Sequence, residues 1–287
     1  MRRMLMLLLC ACSQAAFAQP PVFDVHVHLH DGETSLRAYQ ADAAKAGIPL
    51  AGLGAMWFGG PNQALQGKPA DIVTGNDGVI ALAAHHPGVL PIATVHPYDG
   101  DAALREIARV AGRGVRVLKL HPHTQRFDAA DPRVLAVVRK AGEAGMTVLM
   151  DNAGIVPGDN QSLFNLALQA PKTRFVFAHA GGMDFRFWNM LALARTAEGL
   201  FADNIHFDVS AVAVLFADSP LEAEFVWTLR NVGIDRVLLG SDYPQFSLAA
   251  NLDALERLDL TADEKHAIRV GNARRLLGID AAPTIAR

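Results

Sequence analysis

Phe23-Asp24-Val25-His26-Val27-His28-Leu29-His30-Asp31-Gly32 is the stretch on which the reading of this chain turns. Its period-two alternation predicts a strand with Val25, Val27 and Leu29 on one face and His26, His28 and His30 on the other. Imidazoles ranged along one side of a strand, with Asp24 and Asp31 beside them, are an unusual thing to bury. Metal coordination accounts for them, because a neutral imidazole nitrogen is a good ligand for zinc and similar cations. A wet edge strand that happens to carry histidines is the competing reading, and His-X-His alone divides the two about evenly.

Working outward, strand and helix alternate. Strand-like runs at 48–58, 89–96, 114–121, 146–151, 174–179, 205–209 and 237–240 are separated by helical patterns at 33–47, 71–86, 102–111, 132–144, 162–169, 185–198 and 221–231, with closing helices at 248–258 and 263–277. No linker, repeat or low-complexity tract interrupts them. Such alternation implies parallel βα units, since parallel strands need crossover connections. About eight units in about 250 residues predict an α/β fold of the (β/α)8 TIM barrel type. A doubly wound open sheet is the alternative, and the lack of a glycine-rich loop after the first strand counts against its nucleotide-binding form.

The 287 residues are 51% hydrophobic and 19% charged, with a formal net charge of -3, which suits one large core. Lys and Arg are scattered, so nucleic acid is not an expected partner. Met1-Arg2-Arg3, the apolar run from Met4 to Cys12 and Ala16-Phe17-Ala18 predict a signal peptide over residues 1–18, a single domain over 19–287, and export to the periplasm. The apolar run is too short for a membrane span. Both cysteines, Cys10 and Cys12, lie inside the segment, leaving a mature chain without thiols. Leu9-Cys10-Ala11 loosely resembles a lipoprotein signal and keeps lipid anchoring at Cys12 as the lesser alternative.

In such a barrel, chemistry lies at the C-terminal strand ends. Polar residues fall there repeatedly: His26 and His28, His96, Lys119-Leu120-His121-Pro122-His123, Asp151-Asn152, His179, Asp208 and Asp242. One histidine after an apolar strand is ordinary. Ionisable groups at nearly every strand end, converging on one mouth, are the pattern of a reaction site.

His26-Val27-His28, Phe177-Ala178-His179-Ala180-Gly181-Gly182, Leu239-Gly240-Ser241-Asp242-Tyr243-Pro244 and Gly271-Asn272-Ala273-Arg274-Arg275-Leu276-Leu277 resemble the amidohydrolase superfamily. More narrowly they resemble its amidohydrolase-related branch, which includes the aminocarboxymuconate-semialdehyde decarboxylase type. Leu118-Lys119-Leu120-His121-Pro122, with Asp131-Pro132 after it, is similar to the same branch. The likeness runs from about residue 22 to about residue 279.

The resemblance implies one divalent metal ion, two in some branches, with zinc first and manganese or magnesium as alternatives. It makes His26 and His28 ligands, Asp242 a ligand and proton shuttle, and His179 the histidine that orients water or serves as acid and base. Where the family carries a histidine ligand at the end of strand five, this chain has Asp151. We read Asp151 as a ligand in its place, the alternative being a supporting group beside a weak or absent metal. Binuclear relatives carboxylate a strand-four lysine, but strand five lacks its histidine here. Lys119 is therefore read as a point charge that holds a substrate carboxylate or carbonyl, with a barrel-wall ion pair as an equal alternative. His121 and His123 are read as substrate contacts, and Trp57 and Phe58 as packing under a loop.

Three functions follow. The first is hydrolysis of a small amide, ester or lactone by metal-activated water. The second is metal-dependent nonoxidative decarboxylation of a small, aromatic carboxylic acid. The third, from another class, is a noncatalytic exported binding protein. The expected partner is a small molecule, with a homodimer left open.

Overall fold

The computed structural model describes residues 20–279, so the signal segment at 1–18 and Cys12 lie outside the described residues. Eight parallel strands form one sheet in chain order. They are β1 (Val22–His28), β2 (Leu50–Met56), β3 (Val89–Thr94), β4 (Val117–Leu120), β5 (Thr147–Met150), β6 (Arg174–Phe177), β7 (Ile205–Asp208) and β8 (Val237–Leu238). The residues after β8 return to β1: Val25 N–H donates to Leu239 O (3.0 Å), Asp242 N–H to His26 O (2.9 Å) and His28 N–H to Tyr243 O (2.9 Å). This is the expected (β/α)8 barrel.

The helices are α1 (Gly32–Lys45), α2 (Pro69–His85), α3 (Asp101–Gly112), α4 (Pro122–Gln125), α5 (Pro132–Glu143), α6 (Asp159–Gln169), α7 (Met190–Ala194), α8 (Val212–Phe216), α9 (Glu222–Val232), α10 (Leu248–Arg257), α11 (Ala262–His266) and α12 (Asn272–Leu277). Local signals set several of their starts. Asp131 caps α5, accepting from Arg133 N at 2.8 Å with Pro132 in the first turn. Thr261 and Glu264 make a reciprocal capping box on α11. No helix among the described residues is long and apolar enough to cross a membrane.

Two apolar layers hold the barrel. Phe23, Val25, Ile92, Val117, Leu149, Val176 and Leu238, drawn from nearly every strand, fill its interior over Leu276 and Leu277 of α12. A larger layer between sheet and helices contains Val27, Leu29, Leu118, Leu120, Val148 and Phe207.

The strict alternation expected for 25–29 does not hold. Val25 belongs to the interior cluster, while Val27 and Leu29 pack in the outer layer. Against β2, Asp24 pairs with Leu53 and Val27 with Ala55, so β1 spends one extra residue over that interval. Such a bulge shifts side-chain parity. It lets Phe23 and Val25 plug the barrel low down while His26 and His28 point into the upper interior.

A second departure follows β6. One helix is expected over 185–198, but the chain runs through tight 3-10 turns over Ala178–Asn189 and is α-helical only from Met190 to Ala194. Before it, His179 (φ 59°), Ala180 (φ 46°), Gly181 (φ 84°) and Gly182 (φ 55°) all have positive φ and form the turn that leads out of β6.

The Asn272 motif has a structural account. Its buried amide donates to the carbonyls of Ile234 and Val237, both at 2.6 Å, tying α12 to the start of β8. Asn272→Ala leaves both acceptors without that donor. We expect a loss of about 2–4 kcal/mol, read as a fall in Tm of roughly 4–16 °C for a domain of this size. An unchanged melting curve would remove Asn272 from the list of structural anchors.

Candidate metal centre

His26 and His28 meet at the top of the barrel. His26 Nδ1 lies 3.0 Å from Asp208 Oδ2, and His28 Nδ1 lies against the Phe58 carbonyl oxygen. Both partners are acceptors, so each Nδ1 carries the proton and each Nε2 is left as a lone pair. Those two Nε2 atoms face each other at 3.3 Å. Asp242 Oδ1 completes the set, 3.4 Å from His26 Nε2 and 3.2 Å from His28 Nε2.

The protonation states agree with this assignment. Burial, with the charge of Lys119 behind it, pushes the pKa of His26 down to about 4, keeping the ring neutral. Burial alone would raise the Asp242 carboxyl, but the attraction of the neighbouring His26, His28 and His179 rings when they are protonated in acid brings it down to about 2, so the carboxylate is ionised at neutral pH. Three acceptors thus converge with no proton between them. That arrangement repels itself unless a cation sits among the three atoms, and two imidazoles with a carboxylate are a suitable donor set for zinc. The one cation against them is the Lys119 ammonium, fully buried, whose Nζ donates to His26 Nε2 at 3.0 Å. The residues fit a divalent ion with three protein ligands and an open side.

The open side is a cavity of about 510 Å3 reached from solvent between His28, His121, Asp151, His179 and Asp242. Larger clefts of about 680 Å3, beside α10 and α11, and about 570 Å3, between α2 and α3, bring together no such set of ligands. Backbone strain gathers at this mouth. His179, Ala180, Ala211 and Asp242 have φ between 46° and 61°, a region non-glycine residues seldom occupy away from functional sites.

Asp151 stands apart from the three ligands. Among the described residues His26, His28 and Asp242 are the one group of three or more whose ligand atoms all lie within 4.8 Å of one another. Asp151 Oδ1 instead lies 3.2 Å from His179 Nε2 and 3.6 Å from His121 Nε2. His179 Nδ1 donates to the Ser210 carbonyl at 3.0 Å. With acceptors at both ring nitrogens, His179 is held as an imidazolium. Burial opposes that charge, but the Asp151 hydrogen bond and carboxylate overcome it and raise the pKa to about 9. His121 goes the other way: burial lowers it to about 4. His123 reaches the cavity rim and donates to Asp159 Oδ2 at 2.8 Å. His30, beyond the end of β1, lines the rim too.

The family profile described as Amidohydrolase matches residues 23–279, nearly all the described chain. The chain belongs to the amidohydrolase family. Solved structures resembling this amidohydrolase include a proposed amidohydrolase from Staphylococcus aureus (TM-score 0.73, 16% identity, covering 91% of this chain and 100% of that one). Another is 5-carboxyvanillate decarboxylase from Sphingomonas paucimobilis (TM-score 0.66, 17% identity, 91% and 99%). A third is a dihydroxybenzoic acid decarboxylase from Polaromonas, solved with manganese and 2-nitroresorcinol (TM-score 0.65, 14% identity, 90% and 97%). At these identities they establish the fold. No curated protein sequence matches the chain.

Around the candidate metal centre of this amidohydrolase stand residues to which the sequence assigned no metal or catalytic role. Asp208, wholly buried, accepts from His26 Nδ1, from the backbone N–H of His179 at 3.1 Å and from that of Ser210 at 3.0 Å. Burial would raise its carboxyl, but His26, the charge of His179 and the Ser210 hydroxyl hold it well below the usual carboxylate range. Asp24 accepts from His26 N–H (3.0 Å), Ser241 N–H (2.9 Å) and the Tyr39 hydroxyl (2.8 Å), joining β1 to the loop that carries Asp242. Phe58, read as packing, supplies the carbonyl that sets the His28 tautomer. A polar residue at the end of strand seven was the only signal for Asp208.

Asp208 fixes His26 with its lone pair toward the other two ligands. In Asp208→Asn the amide can offer N–H to Nδ1, which moves the imidazole proton onto Nε2, the atom that would hold a cation. Losing such a support lowers metal affinity about 10- to 100-fold. Competition with a fluorescent chelator measures it, and an unaltered affinity would show that Asp208 only braces the loops.

Proposed function

We propose that this amidohydrolase is a metal-dependent enzyme that removes carbon dioxide, without oxidation, from a small carboxylic acid. The observation that carries the reading is one buried site holding both the three convergent acceptors of His26, His28 and Asp242 and the imidazolium of His179. The rings of His26 and His179 lie 5.4 Å apart, centre to centre. A divalent cation, zinc or manganese, supplies a Lewis acid that draws electron density from a carboxylate or carbonyl oxygen when bound there.

The chain's own groups do the rest. His26, His28 and Asp242 set where the substrate's oxygen is held. As the bond to the departing carboxylate breaks, its electron pair stays on the substrate carbon, and the proton on His179 Nε2 is transferred to that carbon. Asp151 keeps that proton in place beforehand. The two decarboxylases of the same fold support the choice of reaction.

Hydrolysis of an amide, ester or lactone is the second reading, favoured by Asp242. Its carboxylate, ionised and beside the cation's place, can take a proton from attacking water and pass it to the leaving group. The N-terminal segment supports work in the periplasm, which N-terminal sequencing of the mature protein tests by looking for a chain that starts at Gln19.

The deciding experiment incubates zinc- and manganese-loaded enzyme with benzoic and hydroxybenzoic acids under membrane-inlet mass spectrometry for carbon dioxide. A parallel panel of esters, lactones and amides is followed by pH-stat. Acyl hydrolysis without carbon dioxide overturns the first reading in favour of the second. Silence in both panels from fully metal-loaded protein leaves the noncatalytic binding protein.

A further inference from the structure

On one side the rim of the cavity, which carries His30 and His123 elsewhere, is apolar. Ile155 and Val156 line the cavity in the loop after β5 and are 80% and 46% exposed. Met183, in the loop after β6, is 60% exposed. Single exposed apolar residues are commonplace. Ile155 and Val156 share the cavity lining, and the loop that carries them packs closely against the loop that carries Met183. Gly154 (φ 59°) and Gly182 (φ 55°) leave room for that contact: a Cβ on Gly154 would collide with the Gly181 carbonyl oxygen, and one on Gly182 with that of Ala153. The rim is therefore a built wall rather than a loose loop tip.

The same cavity has no lysine or arginine among its described lining residues. Lys119 is fully buried at the depth of the metal ligands, its Nζ 3.0 Å from His26 Nε2, and His123 is paired with Asp159. An anionic group on the substrate finds positive charge only at depth, at the cation's place, at Lys119 and at His179. Nothing permanently positive awaits a second one near the rim.

From this, and resting on the carboxylic-acid reading above, we infer that the substrate is a monocarboxylate whose far end is apolar, and that Ile155 and Val156 are the specificity-determining wall that covers it. Dicarboxylates, and acids with a charged distal group, are excluded by the same wall. The occupant is a small molecule, because the apolar pair opens directly onto the cavity that holds the metal ligands.

Calorimetric titration of manganese-loaded protein with benzoate, 4-butylbenzoate and terephthalate tests this without a turnover assay. Burying one methylene is worth about fourfold in affinity, so a half-covered butyl chain should tighten binding at least about tenfold over benzoate. Terephthalate should bind no better than benzoate. In the Ile155→Ser/Val156→Ser double variant, benzoate affinity should stay as in wild type while the butyl gain falls below about threefold.

Benzoate binding with no butyl gain, or a gain that survives in the variant, overturns the inference alone. No binding by any of the three acids overturns the carboxylic-acid reading as well. Light scattering that finds a wild-type dimer and a monomeric variant assigns the pair to a subunit interface and overturns the wall.

Discussion

His26→Ala empties the metal centre. Wild-type protein, purified without chelators or a histidine tag, is expected to carry near-stoichiometric divalent metal by plasma mass spectrometry, and the variant to carry almost none. Losing a supporting group alone costs about 10- to 100-fold in affinity, so loss of a ligand should exceed 100-fold. Only His28 and Asp242 remain, and Asp208 stays buried without the imidazole proton it accepts. The informative contrast is Asp151→Ala. Because Asp151 lies with His179 and His121 and not among the three mutually close ligands, that variant should keep its metal. Metal lost from both variants would return Asp151 to the ligand set. Wild-type protein that stays metal-free after soaking with zinc or manganese would sink the enzyme reading.

His179→Gln should have the opposite signature, full metal with a rate lowered by about 10²- to 10⁴-fold, the usual worth of a positioned general acid. Glutamine can still donate to the Ser210 carbonyl but carries no labile proton for the substrate. The pH profile gives an independent handle. The raised pKa of His179, about 9, means that its proton is present through neutral pH and lost as pH climbs through that value, so activity should fall on the alkaline side. Asp151→Asn removes the anion that favours the imidazolium. The pKa drops, and the alkaline limb should move to lower pH. A limb unmoved by Asp151→Asn, or a rate indifferent to His179→Gln, would take the proton donor out of the mechanism.

The loss of the butyl gain in Ile155→Ser/Val156→Ser would then separate two parts of the site, a deep charged part that does the chemistry and an outer apolar part that chooses what reaches it. The two respond to different variants because no residue belongs to both.

Much of this molecule is legible along the chain because its signals are local. The alternation of apolar strand runs with helical patterns reflects a backbone that must satisfy its own hydrogen bonds, and it leads to a parallel barrel. The strand ends then locate the mouth, so His26, His28, His179 and Asp242 could be picked out before any coordinates. What the chain order conceals is pairing across it. Asp208 meets His26 over 182 positions and His179 over 29, and no window of sequence holds them together. Asp151 reads as a ligand from its place after β5, while in three dimensions its carboxylate lies against His179 and His121. The segment 185–198 looked helical by periodicity, but it is 3-10 up to Asn189 and α-helical only from Met190 to Ala194.

The clearest division falls in the opening stretch itself. Composition and period made 23–29 a histidine-bearing strand. Which way each side chain points was settled by one extra residue between Asp24 and Val27, accommodated against β2. A bulge costs little locally and leaves no compositional mark. It is selected by the packing of Phe23 and Val25 below and by the acceptors that await two imidazoles above, and those exist only once the barrel has closed.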